Sequence, residues 1–261
     1  MAGSMAGSTA GSTAGRFYRP GSAPSIDQHA FNWCGACYVV AVVQMLQDRW
    51  NVSSNSEDAT FSIQRVMDEF DTNRHPEEEA GWNACHGGDP EHVIQCLGDG
   101  SCHLVSEATA PFFLGRVRRW CSYRGEGSRS VGPLRYVEHG DVKREIVEGG
   151  AVGLMISAEV LANTDVGGVV CDAFPLPADH VVVVVGWEAS YWLIRNSWGS
   201  RRPAQIPDHH ERCNTTISNT CVLSPSHTVR WHSLPSLPGH CLLPMSYTFL
   251  TSDQFFVADV T

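Results

Sequence analysis

The stretch Asn32-Trp33-Cys34-Gly35-Ala36-Cys37-Tyr38-Val39-Val40-Ala41-Val42-Val43 runs on through Gln44-Met45-Leu46-Gln47-Asp48-Arg49-Trp50 and sets the reading of the chain. From Cys37 to Trp50 it is apolar on nearly every side at first and amphipathic later, which predicts a helix entering a core. Cys37 opens that helix. A thiol attacks carbonyl carbon only as thiolate, and a helix N-terminus together with a nearby imidazolium lowers its pKa. On this stretch alone two rivals stay open. Trp-Cys-Gly-x-Cys also suits a dithiol redox site, and a cysteine pair at that spacing can bind zinc. A redox motif should follow a buried apolar strand, whereas Gly21 to Phe31 is polar and turn-rich; a zinc site needs a second close pair, and Cys96 and Cys102 are not close in sequence.

Working outward, the next informative segment is His180-Val-Val-Val-Val-Val-Gly186, which reads as a fully buried strand. Glu188-Ala189-Ser190 is a turn, and Tyr191 to Arg195 returns as the following strand. His180 lies 143 residues after Cys37 (180 − 37), and Asn196, in Arg195-Asn196-Ser197-Trp198-Gly199, lies 159 after it (196 − 37). An antiparallel pair with a short turn brings His180 and Asn196 side by side. The Asn196 amide oxygen can then accept from the imidazole and fix its tautomer, the other ring nitrogen faces Cys37, and Trp198 covers that hydrogen bond from water.

Further helices are expected over Thr60 to Phe70, from Glu91 to Leu97 and over Asp141 to Glu148, with a strand over Val152 to Ser157. The first half is thus helical and the second half sheet-rich, which predicts an α+β chain of two lobes with the site in the cleft between them. Residues 1–24, rich in Gly, Ala, Ser and Pro, are expected to be a disordered leader. Residues 25–199 form the expected domain. Residues 200–261 are left unassigned: Ser200-Arg201-Arg202-Pro203 ends the pattern at once, as a frameshift, a retained intron or a divergent tail would, and only Met245 to Val257 suggests a strand pair.

Composition narrows the partners. The net charge of −10 over 261 residues speaks against nucleic acid, which needs clustered Lys and Arg. No apolar run reaches the ~18 residues of a spanning helix. Ten cysteines point to an oxidising compartment, and Asn51-Val52-Ser53 and Asn214-Thr215-Thr216 fit the N-glycosylation pattern. Met1 to Gly15 lacks the basic start and apolar stretch of a signal peptide, so the cysteines suggest secretion and the first residues do not.

On the segments Gln28 to Trp50, Cys85 to Phe112 and Lys143 to Gly199 the chain resembles the papain-like cysteine peptidases, the cathepsins among them. The resemblance implies a papain-like two-lobed fold, a lysosomal or secreted setting, no cofactor, no metal, a peptide or protein substrate and a monomer. It implies Cys37, His180 and Asn196 as catalytic triad, Gln28 as oxyanion donor together with the Cys37 backbone N–H, a Cys34–Cys85 disulfide, and Gly87 and Gly88 as a bare backbone lining the cleft. Gln28 stands nine residues before Cys37 (37 − 28), a three-residue insertion that resembles the cathepsin X (cathepsin Z) group, as does Ile156 to Thr164 followed by Gly167-Gly168-Val169. In that group the insertion places a histidine where it binds a terminal carboxylate, which implies for His29 the role of a carboxypeptidase determinant. The chain departs from the family at Glu69, where a half-cystine is expected, and after Gly199. A papain-shaped protein that binds peptides without cleaving them is the alternative function.

Overall fold

The structure is a computed structural model describing residues 16–18, 25–29, 34–56, 59–74, 84–112, 127–162, 177–188, 191–199, 230–231, 240–245 and 250–261. Its first half is helical. α1 (Cys37–Ser53), α2 (Ile63–Arg74) and α3 (Pro90–Gly98) follow the expected order. α2 begins three residues later than its periodicity suggests because the Ser62 hydroxyl accepts the Arg65 N–H at 3.0 Å and so caps it. α3 starts where Asp89 accepts the Glu91 N–H at 2.8 Å, with Pro90 in the first turn.

The second half is a sheet with two short helices. Its strands are β2 (Arg135–Tyr136), β3 (Val152–Ile156), β4 (His180–Glu188), β5 (Tyr191–Arg195), β6 (Arg230–Trp231), β7 (His240–Pro244) and β8 (Phe255–Val257). They lie in the order β2-β8-β3-β4-β5-β7-β6, with β1 (Arg16–Tyr18) pairing β4 off that path. α4 (Val142–Glu148) and α5 (Ala158–Ala162) flank β3 in sequence. Val181 to Val185 are all buried, as the unbroken valine run requires. One core joins α1 to the sheet, from Tyr38, Val39, Val42 and Leu46 to Val152, Leu154 and Ile194. This is the α+β, papain-like two-lobed arrangement that the sequence implies.

Both ends differ from their sequence reading. Arg16–Tyr18, inside the segment expected to be disordered, pairs antiparallel with Gly186 to Glu188, and Phe17 stacks on Trp187 with ring centroids 4.9 Å apart. The rest of residues 1–24 lies outside the described residues. In the tail, the strands near Met245 to Val257 do not pair with each other. β7 adds to β5, while β8 lies between β2 and β3. A hairpin reading fails because the apolar stretches face two separate sheet positions, each with its own apolar partner.

The β3–β8 contact is tight. Phe255 and Phe256 are wholly buried, and a Cβ at Gly153 would come within 2.2 Å of the Phe256 ring. Glycine at 153 therefore makes room for a side chain of the tail. The last residues are tied in by Gly132 N–H to the Asp259 carbonyl at 2.9 Å and by reciprocal bonds between Ser130 and Thr261. We expect Phe256→Ala to lower the unfolding free energy by about 3–5 kcal/mol, the usual range for emptying a buried phenylalanine site, in urea titrations. A loss within experimental error would show that the tail does not fill this sheet.

Candidate active site

Cys37 begins α1 and is 8% exposed. Its helix is buried from Cys37 to Arg49 without interruption, so the thiol is held by the core. Burial pushes the Cys37 thiol up to about 11. The backbone N–H groups of Val181 and Tyr38 pull it back down, the charge of Asp179 pushes it further up, and its own N–H lowers it again. The Val181 amide that favours the thiolate belongs to the residue next to His180, so the start of α1 and the start of β4 meet at the sulfur.

His180 is 4% exposed, and its Nε2 lies 2.8 Å from Asn196 Oδ1. The Trp198 ring stacks on the imidazole at 4.7 Å between centroids and 27° between planes. Asn196 Oδ1 also accepts the Ser197 N–H at 2.8 Å. Asn196 Nδ2 is buried with no partner among the described residues, so this amide acts through its oxygen. The strand register explains the meeting. Near the turn Trp187 faces Trp192 and Gly186 faces Leu193; beyond an irregularity between Val184 and Gly186, Val183 faces Arg195. One further step in that register sets Val182 opposite Asn196, which puts Asn196 on the His180 face. Without the bulge the parity would reverse and Asn196 would point to the other side.

Gln28 is 2% exposed and held at both ends of its amide. Nε2 donates to the Cys34 carbonyl at 2.7 Å, and Oε1 accepts the Ser197 hydroxyl proton. Its backbone N–H donates to the Ser197 carbonyl at 2.8 Å, and Gly199 N–H donates to Ile26 at 3.0 Å. Ser25 Oγ donates to the Asn196 carbonyl at 2.6 Å. Residues 25–28 therefore zip onto 196–199, and Ser197 touches both Gln28 and Asn196. Sequence reasoning did not single out Ser197. Its only signal is its place between Asn196 and Trp198.

Cys34 is bonded to Cys85 and Cys96 to Cys102. Among the described cysteines Cys37 and Cys241 are free. Gly35 N–H also donates to the Cys85 carbonyl at 2.6 Å, which brings the Gly87-Gly88 pair beside the loop that leads into Cys37. Gly87 has φ +94°, and a Cβ at Gly88 would sit 2.6 Å from the Tyr38 ring, so both positions need glycine. His29 accepts the Cys34 N–H at Nδ1, 3.3 Å away, and its own N–H donates to Asp27 Oδ1 at 3.0 Å. Ala30 to Trp33, the rest of the inserted loop, and Asn163 to Val169 lie outside the described residues, as does Asn214. Asn51 sits in the last turn of α1 with Nδ2 3.4 Å from the Ala59 carbonyl. Glu69, in place of the expected half-cystine, pairs with Arg65 and lies 3.1 Å from His103 Nδ1.

Among the described residues no group of three or more His, Cys, Asp or Glu side chains could hold a metal ion, and no helix is long and apolar enough to cross a membrane.

Residues 23–205 match the model of the papain family cysteine proteases. Cathepsin Z of Onchocerca volvulus is 25% identical over 199 residues, covering 67% of this chain and 60% of that protein. Cathepsin O of Mus musculus is 23% identical over 193 residues, covering 67% and 57%. The chain thus spans about 60% of the length of these curated relatives. A solved structure concerned with antibody cross-reactivity between the mite allergens Blo t 1 and Der p 1 superposes with a TM-score of 0.54 at 25% identity, covering 74% of this chain and 64% of its own.

The disulfide pattern separates a nucleophile from a redox dithiol. Peptide mapping without reduction should recover Cys34 joined to Cys85, with iodoacetamide on Cys37. A Cys34–Cys37 disulfide in that map would return the site to redox chemistry.

Proposed function

The chain belongs to the papain family of cysteine proteases, and we propose that it is a cysteine-type peptidase working through an acyl-enzyme. The observation that carries this reading is the 2.8 Å contact of His180 Nε2 with Asn196 Oδ1 beside the Val181 amide that favours the Cys37 thiolate. With Nε2 committed to Asn196, Nδ1 of His180 is the nitrogen that takes the Cys37 proton. The sulfur attacks the scissile carbonyl, and the carbonyl oxygen gathers negative charge. Gln28 Nε2 and the Cys37 backbone N–H stabilise that charge, each such donor being worth about 3 kcal/mol. His180 then returns its proton to the leaving amine. A water molecule, deprotonated by His180, releases the acyl group and restores the thiol.

The disulfides suit a lysosomal or secreted setting, and the substrate is a peptide or protein chain lying along Gly87-Gly88. The protein acts as a monomer, without nucleic acid and without a cofactor. Cys37→Ala should abolish peptide turnover and labelling by a thiol-reactive epoxide. Labelling of that variant at the wild-type rate would remove Cys37 from the mechanism.

Within that activity the reading is a carboxypeptidase that removes single residues. His29 follows the oxyanion donor directly, and its Nδ1 accepts from Cys34, so a neutral ring carries its proton on Nε2. That N–H can hold the terminal carboxylate of a substrate. At acidic pH a second proton makes the contact charge-assisted and stronger, at the loss of the Cys34 bond. The comparison to make is one peptide with a free C-terminus against its C-terminal amide. The acid should be cleaved faster, by a factor that grows toward acidic pH and shrinks in His29→Ala. Equal rates for acid and amide would remove the carboxypeptidase assignment and leave the peptidase intact.

A further inference from the structure

Arg195 ends β5, and its side chain is fully buried. Its Nη2 lies 2.9 Å from Asp48 Oδ2 and 3.4 Å from the Gln44 carbonyl oxygen, and its Nε donates to Gln44 Oε1 at 3.1 Å. Gln44 and Asp48 stand one turn apart on α1, about two and three turns beyond Cys37. On the other side, the residue after Arg195 is Asn196. One guanidinium therefore joins the helix that begins with the nucleophile to the strand that leads into the residue orienting its base.

Stability alone is a weak reason for such a pair. Removing two charges from water costs several kcal/mol each, and well-packed apolar residues of similar volume often serve as well or better. What the pair adds is geometry, because a planar fork with fixed donor directions sets both distance and angle, which apolar contacts do not. The lever is long. Asp48 is about 16 Å along the helix axis from Cys37, so a tilt of about 4° at the clamp moves the sulfur end by about 1 Å.

We propose that Arg195, held by Asp48 and Gln44, is a positioning residue that fixes the Cys37 end of α1 against His180 and Asn196 at the separation proton exchange requires. The inference rests on the peptidase reading above. Among the described residues, the titratable groups whose charge couples to Cys37 are Asp179, just before β4, and Tyr38 on its own helix; His180 opens β4 next to Val181, whose amide meets the sulfur. Arg195 and Asp48 form a buried pair that carries no net charge, so removing both takes away a neutral pair and acts on the thiol through position.

The test is the double variant Asp48→Leu/Arg195→Met, which leaves no buried charge unpaired. It is compared with wild type by urea unfolding, by kcat and KM on a peptide, and by the pH dependence of Cys37 alkylation with iodoacetamide, located by peptide mapping. The expected result is a folded protein with KM little changed and kcat down about a hundredfold, the cost of a misplacement near 1 Å. Alkylation of Cys37 should rise about one to three pH units later, because the thiolate loses a close imidazolium. If the double variant does not fold, Arg195→Lys takes its place. It keeps the charge and cannot reach Gln44 and Asp48 together, so the same losses are expected in smaller measure. Wild-type kcat and an unshifted alkylation profile in a folded variant overturn the proposal. A wild-type chain that cleaves no peptide while its alkylation profile still shifts in the variant overturns the peptidase reading and leaves the positioning role standing.

Discussion

Helix α1 is buried on all sides for thirteen consecutive residues, from Cys37 to Arg49, and the rest of the fold answers to that burial. Its apolar residues need a core around them, which α2, α3 and the sheet supply. Its polar residues need partners, since an unpaired buried amide or charge is costly. Gln47 Oε1 accepts the Phe61 N–H at 3.1 Å, just before α2. Gln44 and Asp48 hold Arg195. Arg49 reaches Glu145 on α4 at 3.4 Å and Asp259 near the C-terminus. These four polar side chains pin the helix at four places, the residue before α2, β5, α4 and Asp259, and leave it little freedom to turn or slide.

The tail gains its place from the same helix. Asp259 answers Arg49 from a segment that lies outside the matched family region, residues 23–205. β7 covers the β5 edge and β8 the β3 edge. Left open, those edges would present unpaired N–H and C=O groups next to the strands that carry His180 and lead into Asn196. The tail therefore protects the sheet on which half of the candidate site is built.

How much of this was legible in the sequence depends on how local the signal is. α1, α3, α4, β4 and β5 announce themselves through periodicity, and their ends agree to within a few residues. β7 and the pairing of β8 do not, because short strands in a proline-bearing stretch gain their order from partners far away in the chain. Arg16 to Tyr18 is the same case: a strand of three residues exists only because β4 offers it an edge. Inside the site, His180 and Asn196 could be set side by side from spacing alone, yet the one-residue irregularity between Val184 and Gly186 that turns both to one face leaves no mark in a run of five valines. Arg195 and Ser197 were passed over for a related reason. Their importance lies in partners on α1 and at Gln28, more than a hundred residues away.

The burial that fixes Cys37 also works against it. A thiol pushed up to about 11 by desolvation is a poor nucleophile, and the amides of Val181 and Tyr38 offset only part of that penalty. In the proposed mechanism the remaining stabilisation of the thiolate comes from a positive charge close by, which His180 supplies. An imidazolium does so only if its ring is held in plane and its proton cannot drift to water. Asn196 Oδ1 meets the first need and the stacked Trp198 ring the second. Because Asn196 spends its oxygen on both His180 and the Ser197 N–H, and Ser197 in turn holds Gln28, the proposed base and the proposed oxyanion donor hang from one short segment. A helix that cannot move, set against a segment that carries both, makes the geometry of the site a property of the core and not of its surface loops.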